Sequence, residues 1–353
     1  MTTMQPTDVS TVEDPIFEVR NTSVSFDMAR GESNVLDSVS MDVRRGEVLG
    51  VVGESGSGKS MFASALLDAV VDPGMVTGDI TFHPESGEPV EILGLPEDEI
   101  KRIRWEQIAM VFQGAMSSFN PTMTVGAHFE ETLSVHDRPV EAGMDRARDL
   151  LSELYLEPAQ VLGSYPHELS GGMKQRALIA LALVLDPEVL VMDEPTAALD
   201  LLMQRNIIEL IKQIAAERDL TIVFITHDLP LVANLADRLA VLYAFEFVEV
   251  GPAYEVLTGA KHPYTRALLN STPNLDTPRE EMQPIAGAAP DPVSVPDGCS
   301  YHPRCPLADE RCVEEDPPLD ADDPADDHAA ACHYVERVRE EIPLTLQEVR
   351  RHE

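Results

Sequence analysis

Apolar and polar residues alternate along IFEVR (16–20) and VSMDV (39–43), where Val39, Met41 and Val43 share one face, and this period of two predicts strands. EVLGVVG (47–53), EVLVMD (188–193), LTIVFIT (220–226) and LAVLYAF (239–245) are more continuously apolar and also read as strands. An apolar-rich helix is predicted over 59–70 and another over 201–217, while 114–170 is mostly helical with Pro and Gly at its joints. Strands alternating with helices indicate an α/β domain built on a largely parallel sheet. Residues 1–15 are polar and read as a flexible tail. After about residue 258 the pattern changes, with prolines crowding 273–318 and acids crowding 309–327, so a boundary is expected there. The longest apolar run, ALIALALVL (177–185), is far short of the roughly 20 residues of a membrane span. The opening MTTMQPTDVSTVEDP has neither a basic start nor an apolar stretch, so no signal peptide is expected. These features predict a soluble, cytoplasmic chain that reaches a membrane only through a partner.

Composition adds one constraint. Of the 353 residues 44% are hydrophobic, enough for a sizeable core, but 62 acids face 26 basic residues for a net charge of −36. Such an excess repels polyanions and disfavours nucleic-acid partners. The acids are spread along the whole chain, and the basic residues include only Lys59, Lys101, Lys174, Lys212 and Lys261 as lysines. An acidic, lysine-poor surface suits a halophile, where multimolar salt screens the self-repulsion.

Three segments carry chemistry. GESGSGKS (53–60) fits G-x-x-x-x-G-K-[ST] between the strand VLGVV and a helix, the context a phosphate loop requires. Backbone N–H groups of Gly53, Glu54, Ser55, Gly56, Ser57, Gly58, Lys59, Ser60 and Met61 can wrap a phosphate at the helix start. Lys59 can reach the outer phosphates, and Ser60 can ligate Mg²⁺. VLVMDE (189–194) is a buried strand with Asp193 at its C-terminal end, placed to hold Mg²⁺ through water, and with Glu194 beside it as a general base. LSGGMKQR (169–176) opens a second helix with a Ser-Gly-Gly turn, hence a second anion-binding helix start in one chain.

The LSGGM turn, the phosphate loop and MDEPTAALD together resemble the ATP-binding subunit of an ABC transporter. The resemblance implies that Ser170, Gly171 and Gly172 contact ATP held by a second ABC ATPase subunit in a head-to-tail pair, which accounts for two anion sites per chain. It also implies that Gln113 joins the metal and the water, that Asp200 lies on the loop crossing the dimer interface, and that His227 steadies the attacking water. Phe26 falls where the family keeps an aromatic residue against adenine. NPTMTVG (120–126), HPYTRALLNSTP (262–273) and CSYHPRCP (299–306) are similar to the oligopeptide and dipeptide importer branch. The implied fold is α/β: an ABC-type P-loop ATPase domain over 16–258 with a mostly parallel core sheet, an antiparallel β subdomain and a helical subdomain at about 114–185. A C-terminal extension follows over 259–340, and 341–353 is a tail. The implied cofactors are ATP and Mg²⁺. The implied partners are a second ATPase chain, two transmembrane permease subunits and, indirectly, an extracellular solute-binding protein, with the protein peripheral on the cytoplasmic face of the membrane. Gly114-Ala115, where an acidic residue and proline are usual, and Phe245, where glycine is usual, depart from the family pattern. The alternative is a soluble ABC-type ATPase acting on nucleic acid or ribosomes. The gap of about 110 residues between the phosphate loop and LSGG, the lone ATPase domain and the acidic charge all count against it.

Cys299, Cys305, Cys312 and Cys332 are the only cysteines and lie in one Pro- and Asp-rich segment. Their spacing lacks the C-x₂-C knuckles of common zinc sites, and disulfides do not suit a cytoplasmic chain. A metal centre would cross-link a segment too polar to build its own core. Importer subunits of this branch carry cysteines here associated with a 4Fe–4S cluster, so that cluster is the expectation, with zinc, helped by His302 or His333, as the alternative.

Overall fold

The computed structural model describes residues 14–114, 118–196, 199–271, 285–321 and 326–344. Most of both expected tails, the proline-rich stretch 272–284 and Ala115 lie outside them. The chain opens with two long strands, β1 (Pro15–Met28) and β2 (Gly31–Arg44), paired antiparallel with several register shifts. Then come β3 (Val48–Val52), α1 (Lys59–Ala65), β4 (Met75–Phe82), β5 (Val90–Glu91) and α2 (Glu97–Ile103). β6 (Ile108–Val111) leads into a run of helices: α3 (Val125–Val135), α4 (Val140–Glu153), α5 (Pro158–Gly163) and α6 (Gly171–Leu183). Strands and helices then alternate through β7 (Val189–Asp193), α7 (Leu201–Arg218), β8 (Thr221–Thr226), α8 (Leu229–Val232) and β9 (Arg238–Tyr243). β10 (Glu246–Pro252), α9 (Ala253–Gly259) and α10 (Pro263–Ser271) follow, and the C-terminal part holds α11 (Glu310–Glu314), β11 (Asp320–Ala321), β12 (Ala329–Ala330) and α12 (Val335–Glu341).

Two sheets result. β2-β1-β4-β5 is antiparallel, and β11-β12-β10-β9-β3-β8-β7-β6 is the main sheet. From β6 to β9 the main sheet is parallel, which is why its strands are apolar on both faces. Their alternate residues enter two different cores. Val48, Val52, Leu190, Met192, Ile222 and Phe224 face the helical side. Leu49, Val51, Val189, Val191, Val223 and Ile225 face the antiparallel sheet. Adjacent parallel strands bring their C-terminal ends to one edge, and the candidate chemistry lies along that edge.

Several expectations are adjusted. The helix from Lys59 ends at Ala65, short of residue 70, because turns take over at Leu66. LAVLYAF ends as a strand at Tyr243, since Ala244 and Phe245 form the two-residue loop of the β9–β10 hairpin at φ +48° and +75°. Two left-handed residues in such a loop match the twist of the strands, so glycine would fit the Phe245 position without strain. The short strand β6 had no clear alternation to announce it.

The C-terminal segment docks on the main sheet. β12 pairs with β10 at Glu249↔Ala330 and Val250↔Ala329. Glu249 is fully buried, and its carboxylate accepts the backbone N–H groups of Lys261 (2.6 Å) and His262 (3.0 Å) and pairs with His328 Nε2 at 2.7 Å. Lys261 Nζ donates to Asp326 and to the His328 carbonyl. Burial pushes the His262 imidazole down to about 4, so it is neutral near pH 7.

Candidate functional site

The loop after β3 turns sharply into α1. Gly58 has φ +109°, and a Cβ there would lie 2.4 Å from the Val35 carbonyl oxygen, so only glycine fits. At Gly56 a Cβ would meet nothing within 4 Å, so this tip of the loop is open to a ligand. Lys59 is nearly buried, and its ammonium donates to the carbonyls of Gly53 (2.9 Å) and Glu54 (2.7 Å). Burial pulls its pKa down, opposed by the nearby carboxylates of Glu194, Asp193 and Glu54. Ser57 Oγ stands 3.5 Å from that ammonium. Ser55 is at the exposed surface of the loop, and Met61 packs partly on the core beneath.

The other residues arrive on neighbouring strands. β7 lies next to β8 on one side and β6 on the other, and β8 lies next to β3. This order brings Asp193 and Glu194, His227 and Gln113 to the same edge as the loop. Asp193 is buried, and its Oδ1 has no hydrogen-bond partner among the described residues. Burial raises its pKa, while the Ser60 hydroxyl bonded to it works the other way. An orphaned carboxylate oxygen beside a serine hydroxyl fits the oxygen donor set that Mg²⁺ prefers. Glu194 has φ +45°, and its carboxylate is held from two sides. Gln113 Nε2 donates to Oε2 at 3.1 Å, and His227 Nδ1 lies 2.9 Å from Oε1. Loop, buried aspartate and braced glutamate together make a P-loop nucleotide site whose residues fit ATP and Mg²⁺.

The remaining candidates sit elsewhere. Ser170 caps α6, accepting the N–H of Met173 at 3.3 Å, and Asp200 caps α7, accepting from Leu202 and Met203. The two helix starts adjoin, since a Cβ on Gly172 would lie 2.4 Å from Met203 Cε; Gly171 is the first residue of α6. Phe26 is on β1 of the antiparallel sheet, its ring against Gly74, and is not on the strands that gather the other residues. Gly114 takes φ +83° beside Gln113.

The cysteine expectation is corrected. Cys299, Cys305, Cys312 and Cys332 are free thiols lining a cavity of about 20 Å³ with Tyr301 and Tyr334. Among the described residues no group of three or more His, Cys, Asp or Glu side chains is arranged to hold a metal ion. Burial, together with the charges of the neighbouring cysteines, pushes Cys299 up to about 12 and Cys332 to about 11. Neither the 4Fe–4S cluster nor its zinc alternative is supported, and the relatives below are named only as transport ATP-binding proteins.

Sequence reasoning missed three residues at the loop, two bonded to Glu54 and one packed behind them. Tyr264 Oη accepts the Glu54 N–H at 2.9 Å, Arg304 binds the Glu54 carboxylate, and Tyr243 lies beside both. The segments HPYTRALL and CSYHPRCP signalled that these regions matter, but nothing in their spacing pointed to Glu54.

Comparison with known proteins agrees with this geometry. Residues 36–197 match the ABC transporter family, and residues 248–312 match the oligopeptide/dipeptide transporter C-terminal region. The chain is 38% identical over 330 residues to the dipeptide transport ATP-binding protein DppD of Caldanaerobacter subterraneus, covering 92% of this chain and 98% of that one. It is 40% identical over 309 residues to the oligopeptide transport ATP-binding protein OppD of Escherichia coli, covering 87% and 90%. Among solved structures, the dimeric post-hydrolysis ATP-binding cassette MJ0796 bound to ADP and Pi superposes with a TM-score of 0.59 at 27% identity, over 67% of this chain and 98% of that one. The fold and site thus define an ATP-binding cassette. The chain belongs to the ABC transporter ATP-binding family, in the branch that carries the oligopeptide/dipeptide transporter C-terminal region. The family is one of ATPases that power transport. The halophile reading finds no support in these comparisons. No helix among the described residues is long and apolar enough to cross a membrane.

Proposed function

We propose that this chain hydrolyses ATP to energise an importer of dipeptides or oligopeptides. The observation that carries the reading is Glu194 braced between Gln113 and His227 at the strand edge that also holds the phosphate loop and Asp193. Within residues 53–61, the backbone N–H groups not already bonded inside the protein, as that of Glu54 is to Tyr264, bind the phosphates, and Lys59 neutralises charge at the outer two. Ser60, Asp193 and Gln113 would hold Mg²⁺, which when bound would supply positive charge to the phosphates. Glu194 takes the proton of the attacking water, and His227, hydrogen-bonded to the same carboxylate, fixes its orientation. Phe26 supplies an aromatic face for adenine.

A second ATPase chain, a copy or a relative, pairs head to tail so that Ser170, Gly171 and Gly172 meet its ATP and Asp200 lies at the seam. Closure of the pair drives two permease subunits, fed by an extracellular binding protein, with this chain on the cytoplasmic face. The chain divides into the ATPase domain of 16–258, with its helical part near 114–185, and the extension of 259–340. The relatives' printed functions support the importer over a nucleic-acid role.

The test is Glu194→Gln. It removes the base but keeps the shape, so MgATP binding should persist while turnover falls at least about 100-fold. Turnover within a fewfold of the unaltered protein would take Glu194 out of the mechanism.

A further inference from the structure

A carboxylate inside a phosphate-binding loop is an electrostatic problem, because it faces the charge the loop must attract. Glu54 is such a residue, and the C-terminal segment answers it. Arg304 engages the Glu54 carboxylate through both guanidinium arms, Nη1 to Oε2 at 2.8 Å and Nη2 to Oε1 at 3.1 Å. This fork is the geometry in which arginine is most directional. The guanidinium is itself locked. Its Nε donates to the Ala286 carbonyl at 2.6 Å, and its Cζ lies 5.6 and 5.9 Å from the ring centroids of Tyr243 and Tyr301. Tyr243 packs on Tyr264 with centroids 4.4 Å apart, and Tyr264 accepts the Glu54 N–H. The Arg304 side chain is only 5% exposed against 27% for Glu54, so the pair is shielded well beyond an ordinary surface salt bridge. The carbonyl of the same residue, Glu54, accepts from Lys59 Nζ.

We propose that Arg304 is a positioning residue for the phosphate loop, cancelling the Glu54 charge and fixing the peptide that holds Lys59, so that the C-terminal segment sets the affinity for ATP. The inference rests on the nucleotide-site reading above. Arg304 touches no substrate; it acts through Glu54. Any loosening of the 299–305 turn, which carries Tyr301 and Arg304, therefore weakens nucleotide binding.

The experiment measures MgATP affinity, KM and kcat for the full chain, with Lys59→Ala as the control for the site itself. Loss of binding in Lys59→Ala secures the nucleotide reading, and the Arg304 variants then test the inference separately. Arg304→Met leaves the Glu54 charge bare and should weaken MgATP binding about tenfold, chiefly in KM. Adding Glu54→Gln removes that charge, so the double variant should recover most of the loss. A merely structural role would give no rescue, since both changes would disturb the same packing. If Arg304→Met does not accumulate folded, as judged by circular dichroism, the same cycle is run with Arg304→Gln, which can still bond the carboxylate and should show a smaller loss with the same rescue. Folded Arg304 variants with unaltered KM, or a double variant weaker than the single one, would overturn the proposal. A native chain that binds no MgATP would overturn the nucleotide reading and this inference together.

Discussion

Glu246 opens β10 at the junction with the C-terminal segment, and burial together with the nearby carboxylates of Asp316 and Asp37 pushes its pKa from 4.5 up to about 8. The consequence for stability has a definite sign. In the unfolded chain this carboxyl loses its proton near 4.5, whereas in the folded protein it keeps it until about pH 8. Between those values the folded state binds more protons than the unfolded state, so stability falls as pH rises across the window and levels off above it. At 1.36 kcal/mol per unit the whole shift corresponds to about 5 kcal/mol. Glu246 is half-buried, so water reaches part of it, and we expect about 2 kcal/mol to be expressed. Glu246→Gln keeps the volume and removes the titration. Urea unfolding of both proteins at pH 4 and 8.5 isolates the effect, because other groups cancel in the difference of differences. The variant should gain about 2 kcal/mol relative to the unaltered protein between the two pH values. A difference that stays flat across that range, or a variant relatively less stable at the higher pH, would refute the reasoning.

Gly171→Asp adds an acid to the first turn of α6, which favours the helix but repels a phosphate brought by a partner. In a Glu194→Gln background it should leave ATP binding by the single chain intact and abolish ATP-dependent dimers in gel filtration; dimers that persist would remove the two-site reading. The net charge of −36 predicts that raising salt from 0.1 to 1 M, which shortens the screening length from about 10 to about 3 Å, raises the melting temperature by several degrees. An unchanged melt would show that the acids are already neutralised locally.

The sequence by itself determined the local chemistry. A strand followed by GESGSGKS demands the loop that is found, because Gly58 sits where any side chain would strike the Val35 carbonyl. The apolar runs at 48–52, 189–193 and 221–226 demanded buried parallel strands, since nothing else covers two apolar faces. Ser170 announced the start of α6 through its Ser-Gly-Gly turn, while the cap that Asp200 gives α7 came from the structure. What periodicity could not supply was the order of strands. Gln113, Glu194 and His227 lie far apart in the chain and meet because β6, β7 and β8 are neighbours in the sheet. The cysteines show the limit from the other side. Their clustering in sequence suggested a metal centre, but among the described residues no group of side chains has the arrangement a metal needs. Only the tertiary structure carried Arg304 across 250 residues to the Glu54 carboxylate, because the contact depends on the β12–β10 pairing and the tyrosine packing that dock the C-terminal segment. Local patterns record what one segment needs from water and from its own backbone; a contact between distant segments is decided by how their surfaces fit.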